Sequence, residues 1–320
     1  MNVTDSDNNL FAKALKRPGP IFLDGGLATE LEARGYDISK DLWSAGLLRS
    51  DPQAIIDVHR AYLDAGAQCI ISASYQASRQ GFMSLGISAN DADELIASSV
   101  LLARTARQQY LDDNPGTDPL PIVAASIGPY GATLHDGSEY TGNYGVSRDA
   151  IRRFHEERLS ILDRAGADVL ACETIPDYQE ARVLCELLEN AESPAWISFS
   201  CRDDRHISDG TPLEQAARLF RKHPRVLAIG INCTAPRLIS SLIDLVKAAA
   251  PDKAIVVYPN SGEKYDAEKH SWSGTINPVE CAVAARAWRD AGAKLIGGCC
   301  RMGPQHIAAM NEHLSEGGPR

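Results

Sequence analysis

Eight apolar runs of strand length, 20–26, 67–74, 121–128, 167–174, 194–200, 226–233, 254–260 and 293–300, punctuate this 320-residue chain from end to end. They are continuous rather than alternating, the pattern of parallel strands covered on both faces. Helix-period segments lie between them. Ile55, His59, Tyr62 and Leu63 share one face, as do Ile151, Phe154, Leu159 and Leu162, and Leu238, Leu242 and Leu245. One joint recurs: Asp64-Ala65-Gly66-Ala67, Arg164-Ala165-Gly166-Ala167 and Asp290-Ala291-Gly292-Ala293 each close a helical segment and open a strand. Glycine supplies the left-handed residue that ends a helix. Eight such units predict an α/β fold, a single (β/α)₈ TIM barrel over residues 1–320, of which 1–19 form an N-terminal lead-in. The alternative is an open doubly wound sheet, but its G-x-G-x-x-G phosphate fingerprint is missing.

The net charge of −10 argues against nucleic acid as a partner and favours cationic ligands. No apolar stretch is long enough for a bilayer, so no membrane partner is expected. The opening residues are polar and acidic, without a secretory signal, which makes the cytoplasm the expected compartment. Eight scattered cysteines do not make a disulfide framework. In a reducing compartment, clustered ones point to metal or catalysis.

The residues closing the eight runs are Asp24, Ser74 with Tyr75, Ser126, Glu173, Ser200, Cys233, Asn260, and Cys299 with Cys300. In a parallel barrel these ends share the active-site rim. Cys69, Cys172, Cys185, Cys201 and Cys281 read as small buried hydrophobes. Cys233, Cys299 and Cys300 instead read as a three-sulfur zinc site with an open fourth position. A vicinal disulfide between Cys299 and Cys300 is the competing reading, although it is strained and disfavoured in the cytosol. Two loops on the same side, the Gly/Tyr-rich 129–147 and 261–278, are candidates to close over a substrate.

Three thiolates on one dication make an electron-rich site and a poor activator of water. Such a site suits a fourth thiolate. A free thiol of pKa about 8.5 is only a few per cent ionised at neutral pH, and full ionisation is worth about 2 kcal/mol. The expected chemistry is alkyl transfer to a substrate thiol from a cationic donor. Asp24 and Glu173 can hold an ammonium, and the amides from Gly25 to Leu27 a carboxylate, which together describe an amino-acid site. Tyr75, Trp43 and Tyr258 are the aromatic candidates for receiving a sulfonium.

At these residues the chain resembles the homocysteine S-methyltransferase family. The matching pieces are Asp24-Gly25-Gly26-Leu27-Ala28-Thr29-Glu30-Leu31, Ser72-Ala73-Ser74-Tyr75-Gln76-Ala77, Ser126-Ile127-Gly128-Pro129-Tyr130-Gly131-Ala132, Cys172-Glu173-Thr174, Gly230-Ile231-Asn232-Cys233, Tyr258-Pro259-Asn260-Ser261-Gly262-Glu263 and Gly297-Gly298-Cys299-Cys300-Arg301. The resemblance is nearest to the bacterial and plant branch that uses S-methylmethionine. It implies a barrel with one Zn2+ per chain held by Cys233, Cys299 and Cys300. It implies amino contacts from Asp24 and Glu173, backbone carboxylate contacts near Gly25 and Leu27, and a pocket lined by Asn232 and Tyr75. The small-molecule partners it implies are L-homocysteine and a sulfonium methyl donor, S-methylmethionine or S-adenosylmethionine. The betaine-using relatives carry an extended C-terminal segment, and the cobalamin-dependent ones further domains, which this chain does not match. A monomer or weak homo-oligomer is expected. Two rival readings are a zinc lyase or hydrolase on the same barrel, and a non-catalytic zinc or thiol sensor.

Overall fold

The computed structural model describes residues 9–37, 44–262, 264–266, 271–273 and 277–315. Each of the eight apolar runs contains a strand: β1 (Ile21–Phe22), β2 (Cys69–Ile71), β3 (Ile122–Ile127), β4 (Val169–Ile175), β5 (Ala195–Phe199), β6 (Val226–Asn232), β7 (Ala254–Tyr258) and β8 (Leu295–Ile296). They form one sheet in the order β1-β8-β7-β6-β5-β4-β3-β2, and every ladder is parallel. The ends of that sheet meet. Leu23 bridges Cys69, the Gln68 N–H donates to Phe22 O at 2.7 Å, and the Asp24 N–H donates to Cys69 O at 2.9 Å. The result is the expected α/β barrel.

Strand parity divides the apolar residues into two cores. Phe22, Ile70, Val123, Leu170, Ile197, Ile229, Val257 and Ile296 face the surrounding helices. Leu23, Cys69, Ala124, Ala171, Trp196, Ala228, Val256 and Leu295 fill the barrel interior. Side chains alternate along a strand, so inward positions further toward the C-terminal ends carry Ser126, Glu173, Ser198, Asn232 and Tyr258. All five are buried. The inner wall therefore changes from apolar to polar toward the C-terminal ends of the strands. The repeated joints behave as expected, with Gly66 at φ +94° and Gly292 at φ +118°.

The lead-in segment is more than a connection. Leu10–Lys16 forms a helix capped by Asn9, whose side chain accepts from the Phe11 and Ala12 amides. Its Phe11 and Ala14 join the interior core. The Phe11 ring lies 5.8 Å from that of Trp196, which lies 6.4 Å edge-on from Tyr258. This aromatic column plugs the mouth of the barrel opposite the polar rim.

On the rim side, the loop after β3 folds into two short turns, Tyr130–Thr133 and Ser138–Tyr140. The loop after β7 contains a two-stranded antiparallel ribbon, Lys264–Asp266 with Ser271–Ser273. Among the described residues, no helix is long and apolar enough to cross a membrane.

Candidate active site at the strand ends

The cysteines expected to converge do so. Cys233 leaves β6, Cys299 and Cys300 follow β8, and their three sulfurs lie within 4.8 Å of one another. Cys233 and Cys299 are joined as a disulfide with S–S 2.07 Å, and the free Cys300 sulfur is 4.0 Å from that of Cys299. The competing vicinal pairing of Cys299 with Cys300 is not the one found. Four ligands around a metal with bonds of about 2.3 Å would stand about 3.8 Å apart; Cys300 is already at about that distance from Cys299, and the Cys233 and Cys299 sulfurs would have to be reduced and part before the three could share an ion. Burial pushes the Cys300 thiol up, and the Tyr140 hydroxyl, hydrogen-bonded to it, works against that rise.

The sulfurs open into a cavity of about 120 Å³ that also takes in Gly25, Leu27, Thr29, Ser72, Tyr75, Gln76, Ser126, Glu139, Tyr140, Glu173, Thr174 and Tyr258. Glu173 is the charged centre of its floor. Ser126 Oγ donates a short hydrogen bond to Oε1, and the Tyr258 hydroxyl donates a second to the carboxylate. Burial still outweighs both, and the group is pushed up to about 7.

Asp24 stands just behind this wall. Its Oδ2 accepts from the Ile71 amide at 2.8 Å, while Oδ1 is buried without a partner. Burial raises its pKa well above the usual carboxylate range, and the charge of Glu173 adds to the rise. Like charges this close disfavour joint ionisation, which is why the charge of Glu173 raises Asp24.

Several expected contacts turn out differently. Asn232 does not line the cavity: its Oδ1 and Nδ2 are both taken by Thr174. Tyr258 belongs to the floor, because its hydroxyl accepts from Trp196 Nε1 at 3.1 Å and lies 2.7 Å from Ser198 Oγ. Of the amides expected to hold a carboxylate, that of Gly26 already donates to Met302 O at 3.1 Å. The glycines there serve close packing: a Cβ on Gly25 would sit 1.8 Å from Met302 O, in the turn after Cys300. Tyr75 does line the cavity, with its hydroxyl hydrogen-bonded to Thr174. Trp43 lies outside the described residues.

Strained backbone collects at this rim. Thr174, Cys233 and Arg301 take φ of +60°, +45° and +62°, directly beside Glu173, Asn232 and Cys300. Left-handed conformations are costly for side chains with a Cβ, more so for β-branched threonine, and persist where the surroundings fix them.

Sequence reasoning missed Glu139 as a wall residue and the role of Thr174. For Thr174 the adjacency to Glu173 was a signal. For Glu139, inside a loop without periodicity, the only one was its place among glycines and tyrosines.

The fold and the site define a class: an α/β-barrel enzyme with a cysteine trio beside a buried acidic floor. Residues 21–314 match the homocysteine S-methyltransferase family, and the chain belongs to that family. It is 49% identical to homocysteine S-methyltransferase YbgG of Bacillus subtilis (strain 168) over 290 residues, 90% of this chain and 92% of that protein. The metallated form of homocysteine methyltransferase MmuM from Escherichia coli superposes with a TM-score of 0.85 at 43% identity, covering 95% of this chain and 99% of that one. The oxidised form of the same protein gives a TM-score of 0.86 at 44% identity, with the same coverage.

Proposed function

We propose that this enzyme moves a methyl group from a sulfonium donor, S-methylmethionine or S-adenosylmethionine, to the thiol of L-homocysteine, giving methionine. The observation that carries this reading is the juxtaposition of three cysteine sulfurs with two buried acids, one of whose oxygens is unpartnered. Sulfur ligands address a thiol, and the acids address the ammonium of an amino acid.

Cys233, Cys299 and Cys300, when reduced, would hold one Zn2+. Bound there, the ion supplies a site at which a thiol is kept ionised at neutral pH. A relative solved in both a metallated and an oxidised form supports a site that exists in both conditions. Asp24 and Glu173 then take the homocysteine ammonium. Ser126 and Tyr258 orient Glu173 for that contact, and Thr174 ties Tyr75 to the same wall. Amides near Gly25 and Leu27, on the cavity wall, face the carboxylate. Transfer requires the thiol sulfur in line with the donor's methyl carbon and leaving sulfur. The S–CH3 bond forms as the donor's S–CH3 bond breaks, and the donor sulfur leaves as a neutral thioether with the bonding pair.

The test is a methyl-transfer assay on reduced, zinc-loaded protein with S-methylmethionine, S-adenosylmethionine or betaine as donor. Methionine formation that depends on homocysteine, zinc and a sulfonium donor is expected. Donor turnover without homocysteine would replace this reading with a lyase or hydrolase.

A further inference from the structure

Beside Glu173, the cavity wall carries a second acid that the scheme above leaves without a role. Glu139, in the turn Ser138–Tyr140, lines the same space as Glu173 and the three cysteines. It is 7% exposed, and its Oε2 has no hydrogen-bond partner. Burying such an oxygen unpaired is costly, so a position built to do it calls for a ligand.

The position is built. Ser200 Oγ, just past β5, donates to Glu139 O at 3.2 Å. Gly137 enters the turn at φ +83°, and a Cβ on Gly131 would lie 2.7 Å from Glu139 N. The flanks of the loop are pinned by one buried carboxylate. Glu180 accepts from the Tyr130 amide and the Tyr144 hydroxyl, both at 2.6 Å, and its Oε1 lies 2.7 Å from His155 Nε2. The Glu139 backbone is thus fixed by contacts on both sides, and the residue lines the cavity. Its neighbour Tyr140 reaches Cys300 with its hydroxyl, and the charges of Glu139 and Glu173 both act on Tyr75.

Two acids in separate places therefore line the cavity, Glu173 on β4, with Asp24 buried behind the wall, and Glu139 on the loop. A single amino-acid ammonium satisfies the first. The other cation of the reaction is the methyl donor. We infer that Glu139 is the charge-recognition residue of the donor subsite, receiving the positive charge of the sulfonium donor between the rings of Tyr75 and Tyr140. The assignment rests on the function proposed above and adds to it the place where the donor's charge is read.

The test compares wild type with Glu139→Gln and Glu139→Asp in reduced, zinc-loaded protein, measuring KM for S-methylmethionine, KM for homocysteine, metal content and thermal midpoint. Loss of the carboxylate's attraction for the donor's positive charge predicts that Glu139→Gln raises the donor KM about 10- to 100-fold. The homocysteine KM, metal content and thermal midpoint are expected to stay at wild-type values, and Glu139→Asp to recover part of the loss. Inhibition by dimethylsulfoniopropionate, a sulfonium without an ammonium, locates the contact. If it weakens equally in Glu139→Gln, the carboxylate reads the sulfonium; if it is unchanged while the S-methylmethionine KM rises, it reads the ammonium. An unchanged donor KM in folded, metal-bearing Glu139→Gln overturns the inference. So does a parallel rise of both KM values with a fallen midpoint, which marks a purely structural residue. A wild-type protein that transfers no methyl group from any sulfonium donor overturns the parent reading and this one with it.

Discussion

Asn232 grips Thr174 at two points: its Oδ1 accepts from the Thr174 amide and its Nδ2 donates to Thr174 Oγ1, each at 2.7 Å. Both residues are buried, and Thr174 is in the left-handed region at φ +60°. The clamp joins the end of β4 to the end of β6. It thereby ties the strand that carries Glu173 to the residue before Cys233. Asn232→Ala leaves a buried amide unsatisfied and should cost about 1–3 kcal/mol in chemical denaturation. With Glu173 no longer aligned to the sulfurs, kcat/KM for homocysteine is expected to fall at least about tenfold. A variant with wild-type stability and activity would show that the clamp is dispensable.

Glu173→Gln removes the charge that the cavity floor is arranged around while keeping its shape. The KM for homocysteine should rise about tenfold or more, with metal content unchanged. Steady-state kinetics beside zinc analysis checks this, and a lost metal with an unchanged KM would place Glu173 elsewhere in the reaction.

Cys299→Ser should abolish stoichiometric zinc and methyl transfer together while leaving the circular dichroism spectrum intact. The sulfur lies at the rim and only borders the interior core, which is filled from Leu23, Trp196, Val256 and their neighbours. Full turnover by metal-free Cys299→Ser would remove the ion from the reaction.

His59 lies on the helix Pro52–Asp64, fully buried, with neither ring nitrogen hydrogen-bonded. Burial lowers its pKa from 6.5 to about 4. The unfolded chain therefore binds more protons than the folded one between those values. Stability contributed by the neutral ring is present above pH 6.5 and is lost as pH falls toward 4. The full loss is about 3 kcal/mol. Denaturation of His59→Leu between pH 7 and pH 4 should show a shallower acid limb than wild type; parallel limbs would refute the assignment.

Phe11→Ala empties the base of the aromatic column and should destabilise the fold by about 3–5 kcal/mol. Phe11→Leu should restore much of it. A negligible change in the denaturation midpoint for Phe11→Ala would mean that the lead-in helix is not part of the cooperative core.

The barrel was legible because its strands are covered on both faces, which forces continuous apolar runs, and because Gly66, Gly166 and Gly292 mark three helix-to-strand joints at positive φ. The outermost runs hold shorter strands than their apolar length predicts, since beyond Leu23 and Ile296 the backbone bonds across irregularly. There the Gly298 amide meets Asp24 O and the Cys299 amide meets Pro259 O. The convergence of Cys233 with Cys299 and Cys300 followed from strand ends alone. What lay hidden depended on three-dimensional neighbours. Asn232 bonds Thr174 across the barrel, a Tyr258 ring read as a donor contact spends its hydroxyl on the floor, and Glu139 is placed by Ser200 and Gly131, which no local pattern announces. The plug was equally silent, because a seven-residue helix whose sequence is LFAKALK carries too few periods to reveal its partner.

That plug has a corollary for access. With Phe11, Trp196 and Tyr258 stoppering one end, the described residues close the cavity toward the barrel interior. On the proposed chemistry both substrates arrive, and both products leave, on the side of the strand ends that carries the cysteines.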